Sequence, residues 1–207
     1  MLVNLFRKNW LFFWPYALAL LIMGILQLRY SQEQLMQWVN YRNTGVADVV
    51  FTYITYMGDG AFSVVAILIL LLYNWRIGFM AFASFTLAAL SSLFLKTVVY
   101  PNSLRPLKFF EHSTYEYHII KGLDIYSYNS FPSGHTTTAF ALFSLLAFLD
   151  PQKNRGWFWL LLGILTGYSR VYLFQHFVED AYAGSLVGTI ASVIIYLSLY
   201  HWVTKKG

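Results

Sequence analysis

The stretch Trp10–Leu28, WLFFWPYALALLIMGILQL, carries no charged residue, and neither does Ile77–Leu95, IGFMAFASFTLAALSSLFL, nor Ala181–Tyr200, AYAGSLVGTIASVIIYLSLY. A bilayer core of about 30 Å is crossed by roughly 20 apolar helical residues, so each of the three predicts a span. Arg7 and Lys8 resemble the charged flank of a signal peptide, but the run after them is too long and no small-residue cleavage site follows. Three further apolar runs are shorter: Gly60–Trp75, Thr136–Leu149 and Gly156–Ser169. Fourteen residues at about 1.5 Å each reach only about 21 Å. The missing depth must come from flanks that hold ionisable residues, His135 before the second of these runs and Arg170 and His176 after the third. Ionisable groups at membrane depth face the bundle interior and mark function. The expectation is an all-α fold, a six-transmembrane-helix bundle forming one integral-membrane domain over residues 1–207.

Composition agrees. Of 207 residues 58% are hydrophobic and 11% charged, and the mean hydropathy is +0.53. Soluble domains carry about 25% charged residues, so this balance excludes a disordered chain and a basic nucleic-acid-binding domain, despite a net charge of +5. The absence of Cys excludes a disulfide scaffold, a thiolate metal site and a Cys nucleophile.

Lys and Arg placement orients a bundle. With a cytoplasmic N-terminus the inside set is Arg7, Lys8, Arg76, Lys153, Arg155, Lys205 and Lys206; the outside set is Arg29, Arg42, Lys96, Arg105, Lys108, Lys121 and Arg170. The raw count is even. Lys96, Arg105 and Arg170 belong to motifs with their own reason to lie outside, and without them the count is seven to four. Trp10, Trp75, Trp157, Trp159 and Trp202 all fall at the inner boundary, as an aromatic belt does. Both termini are therefore expected in the cytoplasm. Leu35, Met36, Trp38 and Val39 suggest a short interfacial helix on the outer side. Val46–Met57 reads either as a surface helix or as the outer end of the second span, ending at the turn Gly58-Asp59-Gly60. The longest polar stretch, Thr97–Phe131, holds eight aromatic residues, which suit interfacial anchoring or the lining of a lipid headgroup site.

Three clusters fall on the outer side. The first is Lys96 followed by Arg105-Pro106; alone, Lys96 reads as a boundary lysine snorkelling to the headgroups. The second is Pro132-Ser133-Gly134-His135, a turn running into an apolar helix. A helix N-terminus binds phosphate through its free N–H groups and dipole. Ser133 adds a donor and Gly134 lets the backbone come close, although alone the cluster also reads as a Ser N-cap with an interfacial His. The third is Ser169-Arg170, then His176 and Asp180 four residues apart. On one helix those two share a face, so Asp180 can fix the imidazole tautomer and leave the other nitrogen basic. Gly184 and Gly188 extend that face and permit close packing against a neighbour. Arg170 lies about 240° from His176 on a continuous helix, so a break near Val171–Gln175 is required to bring them together. Phosphoryl transfer needs this set: donors for the equatorial oxygens, a nucleophile in line and an acid for the leaving group.

With these motifs the sequence resembles the type-2 phosphatidic acid phosphatase superfamily, which includes bacterial undecaprenyl-diphosphate and lipid A phosphatases, glucose-6-phosphatase and soluble vanadium haloperoxidases. The family pattern is Lys-x6-Arg-Pro, Pro-Ser-Gly-His and Ser-Arg-x5-His-x3-Asp. The second motif matches at Pro132–His135 and the third at Ser169–Asp180, while Lys96 and Arg105 enclose eight residues rather than six. A loop insertion is the simplest account, with Lys108 a conceivable substitute for Lys96. The resemblance covers Lys96 to Gly188 within a motif-bearing core of about 61–202. It implies the phosphatase/haloperoxidase-type core, His176 as a nucleophile forming a phosphohistidine, Asp180 as its orienting partner and His135 as general acid. Lys96, Arg105, Ser133, Gly134 and Arg170 become the phosphate cradle, with no metal and no cofactor expected.

The leading expectation is thus a lipid phosphatase of the bacterial inner membrane, acting on a lipid phosphate or diphosphate at the extracytoplasmic face, with membrane lipids and substrate as its partners and no obligate protein partner. One alternative is a lipid-phosphate binding or transport protein that keeps the site without turnover. Another is a metal-dependent hydrolase using His135, His176 and Asp180 with His112 or His118, which the surrounding Lys and Arg oppose. His112, His118, Glu111, Glu116 and Asp124 otherwise read as solvated loop residues.

Overall fold

The computed structural model describes residues 1–204, so Lys205 and Lys206 of the charge count lie outside the described residues. The chain runs through α1 (Leu2–Lys8), α2 (Trp10–Arg29), α3 (Gln32–Asn40), α4 (Gly45–Ile54), a 3-10 turn (Thr55–Gly58) and α5 (Gly60–Tyr73). It continues through α6 (Trp75–Phe94), prolonged by a π turn (Leu95–Val99), then α7 (Pro106–Phe109), α8 (Gly134–Leu149), α9 (Gly156–Tyr172) and α10 (Val178–Thr204). Among the described residues the extended chain forms no sheet, only an isolated bridge between Leu104 and Tyr128.

Local chemistry sets the boundaries. Ser31 opens α3 with a capping box, its side chain accepting from Gln34 N–H while the Gln34 side chain accepts from Ser31 N–H. Asn74 accepts from both Arg76 and Ile77 N–H, so α6 begins at Trp75, two residues before the expected Ile77 and at the cost of the predicted end of α5. Val46–Met57 resolves as the first arm of a bent element: α4 with its 3-10 turn meets α5 at 56°.

Three helical stretches are each long and apolar enough to cross a membrane, Trp10–Arg29, Trp75–Val99 and Val178–Trp202, and the bent pair makes a fourth. Length alone therefore supports three or four spans rather than six. The reason lies in α8, which at 16 residues reaches only about 24 Å. Its side chains from Thr136 to Phe148 are buried with few exceptions, held among α5, α6, α9 and α10. A helix apolar on every side is a core helix, and one covered by its neighbours has no need to reach both headgroup layers. By contrast α2 buries only Phe12 and Tyr16 and leaves Trp14, Leu18, Leu21, Ile22, Ile25 and Leu28 exposed. Apolar surface on that scale needs a nonpolar solvent, and a lipid bilayer supplies it.

Small polar residues bind the helices in the interior. Ser84 and Ser192 both donate to the Ala141 carbonyl, at 3.1 and 2.7 Å, and Ser144 meets Thr189 at 3.3 Å. The Gly184–Gly188 stripe faces α8: a Cβ at Gly188 would stand 2.3 Å from the Thr137 carbonyl oxygen and 2.8 Å from Ala141 N. Only a residue without Cβ allows α10 this close to α8, and the approach fixes the two helices that carry the second and third motifs.

Candidate active site

The required break falls at residues 173–177, between α9 and α10. The Arg170 carbonyl accepts from Gln175 N–H at 3.0 Å and His176 N–H at 3.2 Å, curling the chain back on itself. The turn passes through Phe174 at φ +59°. That left-handed conformation is strained for a bulky residue. It is held by burial of the ring against Tyr117 and Phe110, with centroids 4.8 and 5.9 Å away.

His176 is 1% exposed. Its Nδ1 lies 3.3 Å from Asp180 Oδ2, which also accepts from Phe177 N–H at 2.8 Å and from the Ser130 hydroxyl at 2.5 Å. With Nδ1 committed to the carboxylate, Nε2 is the nitrogen left basic. Burial first, then the charges of Arg105, Arg170 and Lys96, hold this imidazole well below the ordinary histidine range. A neutral imidazole with a free lone pair is what nucleophilic attack requires.

The second motif is tied directly to the third, because Ser133 N–H donates to the Asp180 carbonyl at 3.0 Å. Ser133 is fully buried as the N-cap of α8, its Oγ accepting from Thr136 N–H at 3.4 Å and from the Thr136 hydroxyl at 2.9 Å. Its own proton remains to be donated. Thr137 N–H goes to the Ser133 carbonyl, which leaves the amides of Gly134 and His135 as the open donors of the first turn. A Cβ at Gly134 would meet nothing within 4 Å, so the backbone is approachable there.

The cations converge on the same region. Lys96 sits in the π turn and donates to the carbonyls of Asn129 at 2.6 Å and Ser130 at 3.2 Å. Such turns are frequent at functional sites. Arg105 donates to Tyr128 O at 3.0 Å and, through its second arm, to Gln175 O at 3.2 Å and Gln175 Oε1 at 3.3 Å. Arg170 donates to Thr55 Oγ1 at 2.6 Å, while its buried Nε has no partner. Lys108 does not join them: it pairs with Glu111 on an exposed face. His135 stands at the edge of the site with a third of its side chain accessible.

Sequence reading missed Ser130, Gln175, Thr55 and Asp59. Each meets its partner across 46 to 115 residues of chain, and none stands at a specified position of a motif, Gln175 being one of the five unspecified residues of the third, so no local signal marked them. His118 is also not a free loop residue. Its Nε2 lies 3.0 Å from Asp48, whose other oxygen accepts from the Tyr172 hydroxyl at 2.6 Å, fastening the long loop to α4 and α9. Aromatic residues of that loop, Phe110, Tyr115, Tyr117 and Tyr128, line a cavity of about 510 Å³ together with Phe174.

Comparison with known proteins places this arrangement. The family model of the PAP2 superfamily matches residues 77–204. Undecaprenyl-diphosphatase BcrC of Bacillus subtilis (strain 168) is 30% identical over 170 residues, 79% of each chain. Matches to three further relatives span between 26% and 35% of those proteins' lengths. The crystal structure of Aquifex aeolicus LpxE superposes with a TM-score of 0.68 at 25% identity, covering 79% of this chain and 93% of that one. A transmembrane PAP2-type phosphatidylglycerolphosphate phosphatase from Bacillus subtilis superposes with a TM-score of 0.69 at 22% identity, covering 98% and 100%. The chain belongs to the PAP2 superfamily and is an integral membrane protein built like the membrane phosphatases among its relatives.

Proposed function

We propose that the protein hydrolyses a lipid phosphate or lipid diphosphate through a phosphohistidine, at the extracytoplasmic face of a bacterial inner membrane. The observation that carries the reading is the His176–Asp180 pair, buried with Nδ1 on the carboxylate and Nε2 free, next to Lys96, Arg105 and Arg170. In the first step the Nε2 lone pair attacks phosphorus in line. The bond from phosphorus to the leaving oxygen breaks, and that oxygen takes its electron pair and a proton from His135. In the second step His135 removes a proton from water, the hydroxide attacks phosphorus, the N–P bond breaks and inorganic phosphate departs.

The cradle supplies the charge neutralisation. Lys96, Arg105, Arg170, the Ser133 hydroxyl and the amides at Gly134 bind the equatorial oxygens, where preorganised donors act most strongly. Arg170 Nε, buried and unpartnered, is the donor best placed to be satisfied by substrate. His135 serves because an alkoxide is a poor leaving group, and a general acid is worth about 10²–10⁴-fold. In this reading the short helices α8 and α9 also cross, which makes a six-crossing bundle, with both termini cytoplasmic as the Lys and Arg distribution favours. The name of the Bacillus subtilis relative, an undecaprenyl-diphosphatase, supports a diphosphate among the substrates.

The test is release of phosphate from lipid phosphates by the purified protein in lipid discs, with trapping of the adduct on His176. His176→Ala is expected to abolish both signals. Phosphate held tightly with no covalent adduct indicates a binding protein instead.

A further inference from the structure

The corner between α4 and α5 touches the site at two places. Thr55 holds Arg170. Gly58 lies so near α8 that a Cβ there would stand 2.5 Å from the His135 carbonyl oxygen and 2.8 Å from His135 Cβ. The Thr138 hydroxyl, one turn along α8, donates to the Gly58 carbonyl at 2.6 Å and locks the contact. Asp59 follows at the tip. Its Oδ1 caps α5 by accepting Ala61 N–H at 2.8 Å, and its Oδ2 stands 4.0 Å from His135 Nε2. Both side chains are partly open, at 44% and 33%, so they have room to close to hydrogen-bond distance when the imidazole is charged.

The charged groups acting on His135 are Arg170 from α9, Arg105 from the long loop, Lys96 from the end of α6, and Asp59. Three of these are cations that oppose a proton on the ring. The carboxylate is the one that favours it.

We propose that Asp59 is a positioning residue for His135: it takes the Nε2–H, turns the ring, and assigns Nδ1 as the atom that passes a proton to the leaving oxygen. The inference rests on the reading of His135 as general acid. The imidazolium carries one proton on each nitrogen. Nδ1 gives its proton to the leaving oxygen as the bond from phosphorus breaks, and Nε2–H stays on Asp59. The neutral ring then presents the Nδ1 lone pair to water, takes its proton, and returns to the starting state.

The test uses the full chain in lipid discs with phosphatidic acid and diacylglycerol diphosphate, two substrates with the same tails. The first must expel an alkoxide, the second a phosphate that needs less protonation. Asp59→Asn keeps the cap of α5, since Asn caps as well as Asp, and removes the charge. The measured quantity is kcat/KM, which reports the phosphorylation step. It is expected to fall roughly tenfold or more for phosphatidic acid, part of the ~10²–10⁴ a general acid supplies, and less than threefold for the diphosphate. Phosphohistidine is expected to accumulate with the diphosphate, because hydrolysis of the adduct still depends on His135. An equal loss on both substrates, or no loss in Asp59→Asn when Asp59→Ala is impaired, overturns the proposal and leaves Asp59 as a helix cap. His135→Ala run in parallel separates the two readings. If it shows the substrate difference and Asp59→Asn does not, only this inference fails; if His135→Ala shows none either, both fail.

Discussion

The two histidines of the site are built in opposite ways. His176 is sealed inside the bundle, its Nδ1 facing a carboxylate that is itself held by Phe177 N–H and the Ser130 hydroxyl. His135 stands at the first turn of α8, a third exposed, with its nearest carboxylate 4.0 Å away. The difference suits the roles proposed for the two rings. A nucleophile must stay neutral and aimed, so desolvation and a fixed tautomer serve it. A general acid must gain and lose protons and meet both a lipid oxygen and a water, so access and freedom of the ring serve it. In that reading rigidity sits on the side that bonds phosphorus, and accessibility on the side that handles protons.

The largest effect tests the sealed side. His176→Ala removes the nitrogen proposed to attack phosphorus, so phosphate release is expected to fall to background and no adduct to form, read by radiolabelled phosphate on the denatured protein. Turnover by that variant at a rate near wild type breaks the comparison at its root.

Next comes the open side. His135→Ala is expected to lower kcat/KM for a lipid monoester by about 10²–10⁴-fold. For a diphosphate with the same tail the loss is expected to be smaller, because the leaving phosphate needs less protonation. A similar loss on both substrates contradicts the assignment of proton transfer to this ring. The pair of measurements also separates acid function from binding, since a residue that only binds phosphate harms both substrates alike.

Much of this division was legible in the chain. The His176–Asp180 spacing announced a pair, which forms although His176 lies in the break and not on α10, and the 240° between Arg170 and His176 demanded that break, which the structure places at 173–177. The pattern succeeded there because the interactions are local, one helical turn or one loop long. It gave less where partners are distant. The Gly58-Asp59-Gly60 signal read as a turn, which it is, but nothing in those residues tells that the tip lands beside His135, 76 positions later. Nor does hydropathy tell a short core helix from a short span, because α8 is as apolar as a lipid-facing helix and only its neighbours cover it.

A third test bears on how the two sides are kept in register. α8 carries His135, while α10 carries Asp180, and the Gly188 contact presses one against the other. Gly188→Ala places a Cβ against the Thr137 carbonyl, a backbone atom that has no rotamer to escape with. Overpacking of this kind costs about 1–3 kcal/mol. The expected result is a lower melting temperature in detergent and a loss of activity on monoester and diphosphate alike. An unchanged melting temperature means that the helices have slack, and the site then owes its geometry to the Ser133–Asp180 backbone bond instead.

The smallest effects sharpen the nucleophile's side, where two lysines compete for one role. Lys96 lies against the carbonyl of Ser130, the residue that donates to Asp180, whereas Lys108 spends its charge on Glu111 at an exposed surface. A charge-assisted hydrogen bond is worth about 1.5–3 kcal/mol, so Lys96→Met is expected to lower kcat/KM by roughly 10–100-fold. That loss is expected to be the same for monoester and diphosphate, since in the proposed cradle Lys96 holds the phosphoryl group and takes no part in protonating what leaves. Lys108→Met loses only a surface ion pair screened by solvent and is expected to match wild type within about twofold. Reversal of that order assigns the cradle to the α7 side of the loop. It also requires the exposed Lys108–Glu111 pair to open before a phosphate can bind, which adding salt would then favour.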